Sequence, residues 1–286
     1  MMKKIGALVL ALSLTLSLTA CGQKAEQTAA QEEPESGEAE PVELVVFAAA
    51  SMTETLTEIA DLYQDAAPNV TLTFNFGSSG TLLTQIEEGA ECDLFISAAS
   101  TQMNALDGTL AQDAEKNPDG LDMLVLGSRI DLLENKVTLA VPEGNPKGIE
   151  SFDQLAQLLA DGSVFLAMGN SDVPVGQYTQ KIFAYYGLDE AALAESGVLT
   201  YGSDVKEVTT QVSEAAVDCG VIYATDAFSA GLTVVDSATP EMCGQVIYPA
   251  AVIRGGNEEA AQAFLDYLQT DEAMAVFESV GFSPAF

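Results

Sequence analysis

The sequence predicts an α/β fold in which parallel strands are covered by helices on both faces. Two patterns predict it: short apolar runs that end in small residues, and between them stretches whose apolar residues recur at helical spacing. Length adds a third constraint. From Val42 onward about 245 residues remain, enough for one large domain or for two lobes of about 120.

Residues 1–20 follow the export pattern of a basic start, an apolar stretch and a small-residue cleavage site, and so stand outside the fold. Met1-Met2-Lys3-Lys4 is the basic start; Ile5 to Leu18 is shorter than the roughly 20 residues of a membrane span. The stretch ends in Leu18-Thr19-Ala20-Cys21, which looks like the lipobox of bacterial lipoproteins, whose cysteine is lipidated and becomes the N-terminus. An ordinary signal peptide with an incidental cysteine is the plainer alternative. Residues 21–42 carry Glu26, Glu32, Glu33, Glu35, Glu38 and Glu40 with almost no large apolar residue, a composition that cannot bury a core. They read as an acidic tether between lipid and domain.

The remaining elements follow in order. Leu44 to Phe47 is a strand, Ala48-Ala49-Ala50-Ser51 a small-residue turn, and Leu56, Ile59, Ala60 and Tyr63 mark a helix face. Val70 to Phe76 alternates as a strand, Gly77-Ser78-Ser79-Gly80 turns, and Leu82, Leu83 and Ile86 give a second helix. Asp93 to Ser97 is a third strand. Further on, Lys136 to Val141 reads as strand, Ser151 to Leu159 as helix, Val164 to Met168 as strand, and Tyr178, Ile182, Phe183 and Tyr186 as a helix face. Asp204 to Val217 is an amphipathic helix, Cys219 to Tyr223 a strand, Ala224 to Ala227 a turn, and Ala260 to Leu268 and Ala273 to Phe277 closing helices.

Charge excludes one class of partner. There are 43 acidic residues against 10 basic and no histidine, a net charge of -33, and loss of Lys3 and Lys4 with the leader moves it to -35. Nucleic acid is therefore no partner, since phosphate binding rests on Lys and Arg clusters. Cys92, Cys219 and Cys243 have no C-x-x-C spacing and read as buried small residues, with a Cys219–Cys243 bridge the alternative that export permits.

Four helix starts share one local geometry. Ser51 with Glu54 and Asp204 with Glu207 each have capping-box spacing, Ser79 is placed to cap the helix beginning near Gly80, and Pro174 suits a first helical turn. Taken singly, each reads as simply a well-capped helix. Yet a helix start is a ready anion site, and in open α/β sheets ligands lie at the carboxyl ends of strands, where these helices begin. Two starts fall in each half of the chain, so two facing lobes would bring all four to one cleft. Each offers about half a positive charge, so four suit a dianion without any arginine. Tyr223 is either a strand tyrosine or a hydroxyl donor into that cleft; Asp172 and Asp204 read as turn or cap residues and not as metal ligands.

These residues resemble the molybdate-binding proteins of ABC importers. Val46-Phe47-Ala48-Ala49-Ala50-Ser51-Met52-Thr53, Phe76-Gly77-Ser78-Ser79-Gly80 and Asp93-Leu94-Phe95-Ile96-Ser97-Ala98 are similar to the first-lobe motifs. Val173-Pro174-Val175-Gly176-Gln177-Tyr178, Ser203-Asp204-Val205 and Gly220-Val221-Ile222-Tyr223-Ala224-Thr225-Asp226-Ala227 are similar to those of the second, and Tyr248-Pro249-Ala250-Ala251-Val252 to the C-terminal return. The resemblance implies a type II, two-lobed periplasmic-binding-protein fold. Each lobe would be a mostly parallel sheet flanked by helices, with 43–130 and 244–286 in one lobe and 131–243 in the other. It implies that an oxyanion accepts bonds from the hydroxyl and N–H of Ser51 and Ser79, the N–H of Val175 and Val205, and the hydroxyl of Tyr223. Val175 departs from the family, where alanine is frequent, and the second turn is unusually glycine-rich.

The resemblance further implies an extracytoplasmic monomer, lipid-anchored through Cys21, that captures molybdate or tungstate and passes it to a membrane permease. Molybdenum would be bound only as the oxyanion, with no cofactor. Another tetrahedral oxyanion such as sulfate is the alternative ligand. An enzyme on the same two-lobed fold is the alternative class; against it, there is no histidine base, no G-x-S-x-G elbow and no S-x-x-K among the candidate serines.

Overall fold

The computed structural model describes residues 40–286. The leader, the lipobox cysteine Cys21 and all but the last residues of the expected tether lie outside the described residues. Where the tether was expected to end, Val42 already pairs with Val70 as the first residue of a strand.

In the first lobe the chain runs β1 (Val42–Ala49), α1 (Thr53–Ala66), β2 (Val70–Gly77), α2 (Ser79–Glu87), β3 (Leu94–Ile96), α3 (Ser100–Leu106) and β4 (Ile130–Asn135). The second holds β5 (Val137–Val141), α4 (Phe152–Ala160), β6 (Leu166–Gly169), α5 (Pro174–Tyr186), α6 (Glu190–Ser196), β7 (Leu199–Gly202), α7 (Val205–Ser213), β8 (Cys219–Tyr223), α8 (Ala224–Ser229), β9 (Thr233–Ser237) and α9 (Pro240–Cys243). The chain then returns through β10 (Val246–Val252), α10 (Glu258–Tyr267), α11 (Asp271–Ser279) and β11 (Ser283–Pro284). Sheet membership puts the first crossing at Lys136, because β4 stays hydrogen-bonded to β10 as far as Asn135. The division expected at 130/131 falls instead at the start of that strand.

The first sheet has the order β11-β4-β10-β3-β1-β2, the second β7-β6-β8-β5-β9. Neither is mostly parallel, contrary to the expectation. β1 pairs parallel with β2 and β3, and β6 parallel with β7 and β8, but β10 runs antiparallel to β3 and β4, and β5 antiparallel to β8 and β9. The antiparallel members are the strands that carry the chain between lobes and the neighbours they pair with. The parallel cores supply the strand ends that matter below.

Burial explains the strand patterns. β1 is covered on both faces, so Val46, Phe47, Ala48 and Ala49 are all buried and the run is continuously apolar. β2 lies at the sheet edge, and its residues are only partly covered after Val70. Leu56, Ile59 and Tyr63 form the buried face of α1, with the Tyr63 ring 4.8 Å from that of Phe264. α7 stops at Ser213, short of the expected Val217, because Ala215 takes a left-handed backbone with φ 53°. Cys92, Cys219 and Cys243 are buried free thiols, so the Cys219–Cys243 bridge is not formed.

Candidate functional site

Each parallel core ends its strands toward the other lobe, and there the chain turns into helices. β1 ends at Ala49 and passes through a tight turn at Ala50–Met52 into α1; β2 ends at Gly77 and α2 begins at Ser79. On the opposing lobe α5 starts at Pro174, α7 at Val205, and β8 ends at Tyr223. Ser51, Ser79, Val205 and Tyr223 line one small cavity, with Ala98 and Pro174 completing its wall. It leaves about 10 Å³ for the centre of a water-sized sphere, about the room of one water and far below an organic-ligand pocket.

Val175 is the one expected residue that does not line the cavity. Its side chain is fully buried in the lobe core, and the wall at that point is made by Val173 and Pro174. The first turn of α5 is nonetheless where expected, with proline in its opening turn.

The serines are not helix caps. Ser51 Oγ lies 2.9 Å from the hydroxyl of Tyr248, and no side chain caps α1, so the expected Ser51–Glu54 capping box is absent. Ser79 is the first residue of α2 instead of its cap, and its Oγ accepts the backbone N–H of Ala98 at 3.0 Å. Asp204 does cap α7, accepting from the Glu207 N–H at 2.9 Å, while Glu207 reaches back to the N–H of Ser203 at 2.7 Å. At the two serine positions, tertiary partners replaced local ones. The consequence is that both hydroxyls stay at the cavity and the helix-start N–H groups are not consumed by caps.

Tyr223 is buried, with no hydrogen-bond partner for its hydroxyl among the described residues. Burial, with Tyr248 and Tyr178 nearby, pushes its pKa well above that of an ordinary phenol, so it holds its proton and offers it. A buried hydroxyl left unpaired costs about 1–3 kcal/mol, a strain that a bound acceptor would relieve.

No basic side chain is among the residues that line the cavity. Lys206, one residue into α7, is held by Glu54 at 2.7 Å and Asp226 at 3.2 Å, and Arg129 by Asp107 at 2.7 Å. What remains at the cavity is hydroxyl protons and helix starts from both lobes.

The lobes meet around this point. A Cβ placed on Gly80 would lie 2.2 Å from the carbonyl oxygen of Asp172 in the other lobe, so only glycine lets the two backbones approach so closely. Ser78 Oγ donates to that same carbonyl at 3.3 Å, and Lys206 to Glu54 adds a second bridge. Sequence reasoning missed Gly80 as a lobe contact, and it missed Asn135 and Tyr248, which are hydrogen-bonded to each other and, through Tyr248, to Ser51. No local spacing signals them, since their partners are far away in the chain.

No group of three or more metal-ligating side chains occurs among the described residues, and no described helix is long and apolar enough to cross a membrane. A family described as bacterial extracellular solute-binding protein matches residues 44–283. A Bacillus subtilis chain, provisionally named ABC transporter substrate-binding lipoprotein YvgL, is 31% identical over 99% of this chain and 99% of its own. The molybdate-binding protein ModA of Haemophilus influenzae is 30% identical over 84% of this chain and 89% of its own. Among solved structures, the substrate-binding domain assigned to a molybdenum ABC transporter of Clostridium difficile superposes with a TM-score of 0.61 at 30% identity, covering 86% of this chain and 100% of that one.

Proposed function

The chain belongs to the bacterial extracellular solute-binding proteins, and from that membership we propose that its cleft captures molybdate for an ABC permease. One observation carries the reading: hydroxyls from Ser51, Ser79 and Tyr223 and helix starts from both lobes surround one small cavity, with no basic side chain on its wall. The proposed ligands are the hydroxyl and N–H of Ser51 and Ser79, the N–H of Val175 and Val205, and the hydroxyl of Tyr223. Val175, behind the wall, would act through its backbone alone.

Such a set selects a fully deprotonated tetrahedral dianion. Molybdate and tungstate qualify at neutral pH, whereas phosphate keeps a proton that needs an acceptor, and an unpaired polar partner costs about 1–3 kcal/mol. Sulfate also qualifies by charge and is rejected on size, because donors fixed on two lobes cannot all close on its shorter bonds. The rest of the proposal follows the same membership: a monomer without cofactor, no enzyme, held outside the cell membrane through a lipid on Cys21.

Calorimetry of the soluble domain with molybdate, tungstate, sulfate and phosphate in turn tests this. The expected result is tight binding of the two metal oxyanions and far weaker binding of phosphate. Strong sulfate binding with no heat from molybdate or tungstate would sink the assignment.

A further inference from the structure

Ser51 can face the cavity with its proton or with a lone pair, and the bonds behind it decide which. The chain of bonds starts at Asn135, the last residue of β4. The backbone N–H of Lys136 donates to Asn135 Oδ1 at 2.8 Å, and because an N–H can only donate, it fixes which end of the amide is oxygen. Asn135 Nδ2 therefore points at Thr225 Oγ1, 3.0 Å away in the second lobe, and at Tyr248 Oη, 3.3 Å away in the first. An amide NH₂ has only protons to give. The distance of 2.9 Å between Tyr248 Oη and Ser51 Oγ lets either oxygen donate, but with Tyr248 Oη already accepting from the amide, its own proton is the one available for Ser51 Oγ. Ser51 Oγ would then accept, which leaves its proton for the cavity.

The other hydroxyls point the same way. Ser79 Oγ accepts from the Ala98 N–H, so its proton too is free, and Tyr223 has no acceptor among the described residues. Asn135 and Tyr248 are buried and neither lines the cavity. We propose that Asn135 and Tyr248 are positioning residues that lock the Ser51 hydroxyl as a donor, so that the site discriminates against oxyanions that retain a proton. This rests on the oxyanion reading of the cavity and assigns part of its selectivity to side chains that never touch the ligand.

The test is a set of double-mutant cycles read by calorimetry with molybdate and with phosphate. Tyr248→Phe removes only Oη; it should lower molybdate affinity about tenfold in the unaltered protein and less than about twofold in a Ser51→Ala background, because the loss acts through Ser51. Asn135→Asp keeps the size but offers Tyr248 an acceptor. Tyr248 would then donate backward, Ser51 would donate to Tyr248, and a lone pair would face the cavity. In that variant the ratio of phosphate to molybdate affinity should rise about tenfold, and the rise should vanish in a Tyr248→Phe background, which retains the added charge. Equal losses from Tyr248→Phe with and without Ser51, or an unchanged anion ratio in Asn135→Asp, would overturn the proposal. Failure of the unaltered protein to bind any oxyanion would overturn the reading of the cavity and this inference with it; binding with equal losses in both backgrounds overturns the inference alone.

Discussion

Tyr223 shows how a site can be stored as a local deficit. Its ring is packed against Tyr178 and Tyr248 at centroid distances of 6.4 and 5.7 Å, so the side chain is fixed, while its hydroxyl has no partner among the described residues. An unpaired buried hydroxyl opposes folding, and a bound oxyanion would turn that cost into affinity. Tyr223→Phe should therefore separate the two quantities. Without ligand the variant should unfold at the same or higher temperature, and its molybdate affinity should fall about tenfold or more, the size of one hydrogen bond to a charged acceptor. Thermal unfolding and calorimetry on the same preparation would check it. A drop in both would mean that the hydroxyl is structural.

At the scale of elements, Gly80 separates helix propensity from lobe closure. It lies in the first turn of α2, where replacing glycine by alanine ordinarily favours the helix by about 1 kcal/mol. With the lobes as they meet in this structure, however, the new methyl would lie 2.2 Å from the Asp172 carbonyl oxygen. Gly80→Ala should thus weaken molybdate binding at least about tenfold, because one backbone must shift against the other before the lobes can meet around the ion. Unaltered affinity would show that the approach is not needed for binding. The same element shows what the sequence could and could not say. Strand β1 was legible from its apolar run and α5 from Pro174 and its buried face, because those signals are local. Strand direction was not, since β10 and β5 reverse through chain crossings that periodicity does not encode. The spacing of Ser51 and Glu54 fits a capping box, but their partners are Tyr248, 197 residues on, and Lys206, 152 residues on. Edge strand β9, with Thr233 and Val234 exposed, carries no clear apolar pattern to read.

The whole molecule carries a charge of -33 and is proposed to bind an anion, and Lys206 shows how the few cations are spent. It sits on α7 and joins Glu54 of the other lobe to Asp226 of its own, so its loss would open a bridge across the cleft and strand a buried carboxylate. Burial raises the Asp226 pKa, Lys206 pulls it back, and Glu54 and Asp204 push against Lys206, leaving it at about 6. Burial lowers the Lys206 pKa, but Asp226 and Glu54 outweigh it and the ammonium is held above its ordinary value. Because the folded pKa of Asp226 lies above the ordinary 3.8, its contribution to stability is fully present below that value and is lost as pH rises through about 6. Lys206→Met removes the counter-charge, so the carboxylate becomes costlier where it is ionised and little changed where it is protonated. At pH about 7.5 the variant should lose on the order of 2 kcal/mol, less than the roughly 3–5 kcal/mol of a fully buried pair because Lys206 is partly solvated. At pH about 5 the loss should be under half as large. Urea unfolding of variant and parent at both pH values isolates this difference from the repulsion that the whole acidic surface adds to each. An equal loss at both would show that Asp226 does not depend on Lys206, and that the bridge to Glu54 acts alone.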